Sequence, residues 1–319
     1  MRRTRAAALA LLAACAAPAA GFDLQGHRGA RGLAPENTLP GFQRALELGV
    51  TTLELDVTVT RDGVLVISHD TALNPDHTRD AAGRFLEARG PAIRALRWSE
   101  LQAYDVGRLK PGTDYARQFP DQQPVDGARI PRLADLFALV KRAGDDHVRF
   151  DIETKLDPGK PDEAPEPGDF ARALVAEIRA AGMSARTVVQ SFDWRTLRAV
   201  QEIAPEIPTA YLSLQRRFDN IGAGRPEGSA WTAGFQYRDH GSVPKMVKAA
   251  GGRIWSAYYD DLSPALLAEA KALGLQVLVW TVNDPAAMER LVAQGVDGLI
   301  TDRPDLARKV LEARGARWR

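Results

Sequence analysis

The chain has 319 residues, 45% hydrophobic and 26% charged, which is ample material for a large folded core. A formal net charge of +1, with no basic stripe and no acidic tail, gives nucleic-acid binding no compositional support. The single cysteine, Cys15, excludes an intrachain disulfide.

Residues 1–20 read as a secretory signal peptide: "MRRTR" is a basic start, "AAALALLAA" a short apolar stretch, and small residues follow. Its removal takes away Arg2, Arg3 and Arg5 and no acid, moving the formal charge from +1 to −2. Two processing routes stay open. Ala17-Pro18-Ala19 suits an ordinary signal peptidase, whereas "LAAC" resembles a lipoprotein box that would make Cys15 a lipid anchor. Either route predicts an exported, periplasmic protein, soluble or lipid-anchored, and no later apolar run approaches membrane-spanning length.

From residue 21 onward strand-like and helix-like segments alternate, as one domain over 21–319. "FDLQGH" is followed by the amphipathic "LPGFQRALELG", which starts after Asn37-Thr38 and stops at Gly49. "TLELDV" (52–57) then shows strict period-2 alternation, with Glu54 and Asp56 on one face. "VLVISH" (64–69) follows across only "TRDG", too short for a parallel crossover, so it is predicted to return antiparallel and deliver His69. "VRFDIE", "TVVQS", "TAYLS", "RIWSA", "QVLVW" and "GLIT" complete eight parallel strands, most of them separated by helical patterns. Eight strands with intervening helices predict a TIM (β/α)8 barrel. Residues 70–130 exceed what a barrel needs and form an insertion after the second strand; 156–168 and 214–240 are further long connections.

A barrel's chemistry sits at the C-terminal ends of its strands. Those ends carry His27 and Arg28, then Glu54 and Asp56, the returning His69, then Asp151, Glu153 and Lys155, and finally Trp280-Thr281 and Thr301-Asp302. Glu54, Asp56 and Glu153 would repel one another unless a cation lay among them, and oxygen ligands suit Ca2+ or Mg2+. The alternative is a salt-bridged polar layer with Arg149 or Lys155 as counter-charge, and spacing alone does not separate the two. Arg28 and Lys155 beside two histidines describe a site for a phosphate ester with a labile P–O bond. His77, His147 and His240 are given structural roles, and Glu36 and Asn37 are read as helix-start residues, the alternative being partners that support the site residues.

"HRGARGLAPENTLPGFQRALELGVTTLELDVTVTRDGVLVISHD", "IETK", "VWTVND" and "VDGLITDRP" together resemble the glycerophosphodiester phosphodiesterases over essentially the whole chain after the leader. The resemblance implies hydrolysis of glycerophosphodiesters to sn-glycerol 3-phosphate and an alcohol. It implies His27 and His69 as general acid and base, Arg28 and Lys155 on the phosphate, and Glu54, Asp56 and Glu153 on one divalent cation. Trp280 would form an apolar wall for the glycerol; the alternative for it is a core residue capping the barrel. Two other readings remain: a phospholipase D acting on lysophospholipids, and a non-catalytic phosphodiester-binding protein. Oligomeric state is not legible.

Overall fold

The computed structural model describes residues 21–216 and 218–318. The signal peptide and Cys15, with both processing routes, lie outside the described residues. The chain begins β1 (Asp23–Gly26), α1 (Leu39–Leu48), β2 (Thr52–Val59) and β3 (Leu65–Ile67). Next come α2 (Trp98–Leu101), α3 (Asp114–Gln118), α4 (Leu133–Ala143), β4 (Arg149–Thr154), α5 (Pro167–Ala181) and β5 (Thr187–Ser191). Then follow α6 (Trp194–Ile203), β6 (Thr209–Ser213), α7 (Tyr237–His240), α8 (Val243–Ala249) and β7 (Ile254–Tyr258). The last elements are α9 (Pro264–Ala272), β8 (Gln276–Trp280), α10 (Pro285–Gln294), β9 (Gly298–Thr301) and α11 (Pro304–Ala313).

The eight strands other than β3 run parallel in the order β1-β9-β8-β7-β6-β5-β4-β2, and β2 pairs back to β1. The sheet is therefore a closed barrel ringed by helices, as the alternation predicts. β3 runs antiparallel to β2, with Val57 opposite Ile67 and Val59 opposite Leu65. Gly63 makes the turn at φ 81°, a conformation costly for any residue with a Cβ. The backbone N–H of Ser68 donates to the carbonyl of Asp56 at 2.9 Å, so the hairpin sets His69 down beside the end of β2.

Two walls of unlike chemistry line the barrel. Val188, Ala210, Ile254 and Leu278 make a small apolar cluster on the β5–β8 side. Asp23, Gln25, Thr52, Glu54, Asp56, Asp151, Glu153 and Gln190 are all buried on the side of β1, β2, β4 and β5. In the parallel register Glu54 lies beside Asp151, Asp56 beside Glu153, and Glu153 beside Gln190.

The insertion has a core of its own, in which Leu73, Ile93, Leu101, Val106 and Ile130 pack around Val66 of β3. It lies against the mouth of the barrel: Gln122 donates to the carbonyl of Arg31 at 2.7 Å and the N–H of Gln123 to that of Leu33 at 2.9 Å. At the opposite face the N–H of Phe22 donates to the carbonyl of Arg317 at 2.8 Å, joining the two ends of the described chain. Among the described residues no helix is long and apolar enough to cross a membrane.

Candidate active site

The turn after β1 is tight. Arg28 and Gly29 adopt φ of 51° and 88°, and a Cβ on Gly29 would lie 2.7 Å from the carbonyl carbon of Gly41 in α1. This turn aims the Arg28 N–H at Glu54 Oε2, 2.8 Å away, and sends the His27 and Arg28 side chains into the mouth.

Carboxylate oxygens of Glu54, Asp56 and Glu153 lie within 4.8 Å of one another. Lys155 Nζ is 2.7 Å from Glu153 Oε1 and 3.5 Å from Asp56 Oδ1, and Arg28 Nε is 3.3 Å from Asp56 Oδ2. Arg28 also donates to Glu36 Oε1 at 2.8 Å. Four carboxylates thus face two cations, and with all ionised the cluster carries two uncompensated negative charges. Buried charge of that kind costs several kcal/mol unless it is neutralised. Part of the relief is protonation: burial, with Asp56 adding, pushes Glu54 well above the ordinary carboxylate range. Burial likewise raises Glu153, against the pull of Lys155, to about 7. Burial acts the same way on Asp56, but Lys155 and Arg28 overcome it and hold that carboxyl far below its usual range.

The donor set fits a hard divalent cation. It is all oxygen, it is short of two positive charges, and Asp56 Oδ1 is buried with no hydrogen-bond partner among the described residues. Asp151 stays apart, fully buried one step deeper beside Asp23; burial and that neighbour push its carboxyl well up, favouring the neutral form. Arg149 pairs with Asp23 at 2.8 Å instead of with the cluster, so of the two counter-charges weighed from spacing only Lys155 reaches it.

Each histidine is backed by a carboxylate. His27 Nδ1 lies 2.6 Å from Asp302 Oδ1, and since an ionised carboxylate only accepts, the ring hydrogen sits on Nδ1. Nε2 then faces the cluster, 3.9 Å from Glu54 Oε2. Arg31 forks onto Asp302 at 2.8 and 3.0 Å, and Asn283 donates to it at 2.7 Å. His69 repeats the pattern, with Nδ1 3.2 Å from Asp70 Oδ1, while Asn74 donates to Asp70 Oδ2 at 2.7 Å. Burial, followed by nearby arginines (Arg31 for His27, Arg28 for His69), lowers both imidazoles to about 4. Both imidazoles are thus neutral at pH 7.

A cavity of about 130 Å³ joins these groups, lined by His27, Arg28, Glu54, His69 and Glu153 on one side and by Phe192, Leu212 and Trp280 on the other. Trp280 is half-buried in that wall and lines the cavity, its Nε1 donating to the carbonyl of Ser256 at 3.1 Å. A larger hollow of about 840 Å³ opens at the other end of the barrel beside Thr51, His147 and Trp318, remote from every one of these groups.

All eight site residues read from the sequence therefore meet in one place. Of the partners that hold them, Glu36 and Asn37 were weighed only as an alternative to helix-start residues, and the others were not read as partners. Thr38 alone caps α1, accepting from the Gly41 N–H at 3.2 Å. Glu36 instead takes Arg28, and Asn37, at φ 53°, donates to Asp56 Oδ2 at 2.9 Å. His77 is half-buried, with Nε2 3.9 Å from Asp70 Oδ2, and is raised, Asp70 and Glu36 outweighing burial. The one hint available was position: Glu36 and Asn37 precede a helix that Thr38 could already cap, and Asp302 ends a strand.

The sequence profile of the glycerophosphoryl diester phosphodiesterase family matches residues 27–306. The chain belongs to that family. A glycerophosphodiester phosphodiesterase of Caldanaerobacter subterraneus is 29% identical over 283 residues, covering 88% of this chain and 93% of its own. The Mycobacterium tuberculosis protein described as "Probable glycerophosphodiester phosphodiesterase 2" is 30% identical, with 88% of this chain and 87% of its own covered. A crystal structure from Silicibacter pomeroyi, assigned to the glycerophosphoryl diester phosphodiesterases, superposes with a TM-score of 0.82 at 39% identity, covering 95% of this chain and 97% of that one. An Oleispira antarctica phosphodiesterase, solved with the product sn-glycerol-3-phosphate, shares the fold at a TM-score of 0.66 and 21% identity, with 92% and 97% covered. The protein is accordingly an enzyme, a glycerophosphodiester phosphodiesterase.

Proposed function

We propose that this enzyme releases sn-glycerol 3-phosphate and an alcohol, with His27 and His69 as the acid/base pair. The observation that carries this reading is the paired geometry: two imidazoles, each with Nδ1 on a carboxylate, turned toward one cavity between Arg28, Lys155 and three clustered acids. A divalent cation held by Glu54, Asp56 and Glu153 would neutralise charge on the non-bridging phosphate oxygens. Arg28 binds one of those oxygens and Lys155 assists, both already fixed by ion pairs. One neutral imidazole takes the proton of the attacking hydroxyl as the new P–O bond forms. The other, protonated beside the bound phosphate anion, gives its proton to the alkoxide as the old P–O bond breaks. The attacking group is the glycerol 2-hydroxyl, giving a cyclic phosphate first, or water. The product complex of the Oleispira relative supports the glycerol phosphate half of the substrate.

The test is glycerol 3-phosphate release from glycerophosphocholine after EDTA stripping, with Ca2+ or Mg2+ added back. Activity lost on stripping and restored by one ion is expected; full activity in EDTA would remove the cation from the scheme.

One observation favours a second substrate. From Trp280 a row of rings leads outward through Phe192 (5.4 Å), Phe218 (5.8 Å) and Trp231 (4.7 Å). Phe218 is 46% exposed. Such a surface suits the acyl chain of a lysophospholipid, and choline release from lysophosphatidylcholine tests it. The leader makes the enzyme exported and periplasmic, and the intact mass of the mature protein tells whether Cys15 carries lipid.

A further inference from the structure

Asp70, Asn74 and His77 of the insertion stand behind His69, and on the other side of the site the insertion reaches Arg28 and His27 through the short helix α3. Tyr115, on the short helix α3, donates its hydroxyl hydrogen to Glu36 Oε2, and Arg31 Nη1 donates to the same hydroxyl at 3.2 Å. Glu36 is the carboxylate that holds Arg28, and Arg31 is the guanidinium that forks onto Asp302 behind His27. Phe119, one turn further on, lies under Arg31 with the guanidinium 4.6 Å from its ring, and meets Tyr115 edge-on at 5.2 Å. Thr113 caps α3, accepting from the Ala116 N–H at 3.1 Å. Glu36 and Arg31 both follow Arg28 in the chain, and each supports a different group of the site, Arg28 in one case and the His27–Asp302 pair in the other.

We infer that Tyr115 is a positioning residue: its hydroxyl ties Glu36 to Arg31, so the insertion fixes the phosphate-binding Arg28 and the His27–Asp302 pair in a single arrangement. This rests on the functional reading above. Burial and the Glu36 carboxylate raise the phenol, so it keeps its hydrogen and stays a donor at any working pH. Without that hydroxyl Glu36 Oε2 loses its donor while Glu36 itself remains buried, and the carboxylate is free to turn away from Arg28.

Tyr115→Phe in the mature enzyme removes the hydroxyl and keeps both ring contacts. Two readouts are measured beside melting temperature: kcat and KM for glycerophosphocholine, and calorimetric affinity for glycerol 3-phosphate. The expected result is a roughly tenfold rise in KM, a similar loss of glycerol 3-phosphate affinity and a smaller fall in kcat, with little change in melting temperature. Values of KM and affinity within twofold of wild type would overturn the inference, whatever the melting temperature does. If the wild type fails to hydrolyse glycerophosphocholine but Tyr115→Phe still weakens glycerol 3-phosphate binding, the functional reading falls and the positioning role stands. A wild type that neither hydrolyses the diester nor binds glycerol 3-phosphate overturns both.

Discussion

His27 stands at the end of a barrel strand, its side chain 11% exposed, against an Asp302 that is 2% exposed and takes further hydrogen bonds from Arg31 and Asn283. His69 hangs from the returning hairpin, 33% exposed, against an Asp70 that is 38% exposed and is held by Asn74, with His77 Nε2 3.9 Å away. One pair is locked by the barrel and cut off from water; the other is built where the hairpin meets the insertion and stays in touch with solvent. The same imidazole–carboxylate unit thus comes in a rigid and a yielding version. A proton held on the His69 side has a short path to bulk water, whereas one on His27 exchanges chiefly with what the cavity contains.

The strongest way to break this comparison is to remove the rings. His27→Ala and His69→Ala should each lower kcat about 10²–10⁴-fold, and steady-state rates on glycerophosphocholine check it. A variant at wild-type speed would strip that arm of its acid/base role. The supporting carboxylates come next and sharpen the contrast. Asp302→Asn turns an acceptor into a donor against His27 Nδ1–H, so a loss of about 10²-fold or more is expected. Asp70→Asn should cost only about tenfold, because water can replace it at an exposed site. Equal losses would erase the distinction between the arms.

The smallest effect lies between the arms, at Glu153. Its carboxyl, raised to about 7 from 4.5, must give up its proton to hold a cation, so Ca2+ or Mg2+ affinity should rise from pH 6 to 8 by up to about tenfold. For the metal-free protein the sign reverses. Between pH 4.5 and 7 the folded state binds the extra proton, so its stability should fall as pH rises through that window and level off above it. Calorimetric titration and melting curves in EDTA check the two slopes.

The barrel, and the meeting of the eight candidate residues at its mouth, were legible because both follow from local rules. Glu54 and Asp56 alternate with buried leucines, and Asp62-Gly63 leaves β2 no choice but to turn back and bring His69 with it. What was not legible is the support, because it is made by residues far apart in the chain. Asp302 is 275 positions from His27 and Tyr115 is 79 from Glu36, and no periodicity connects such pairs. Glu36 and Asn37 were masked by a more ordinary explanation, since they precede a helix start that Thr38 serves unaided. The insertion gave little away for a similar reason. Apart from short helices it is built from isolated bridges such as Arg79 with Phe85 and Ala72 with Ala92, which leave no repeating signature.

The hydrogen bond from Phe22 to Arg317 has a consequence for orientation. Because it lies below the first strand, a barrel held at Phe22 or Arg317 is held by its base. Its mouth then points outward, away from whatever holds it. Substrate arriving from the surrounding fluid then meets the open end directly.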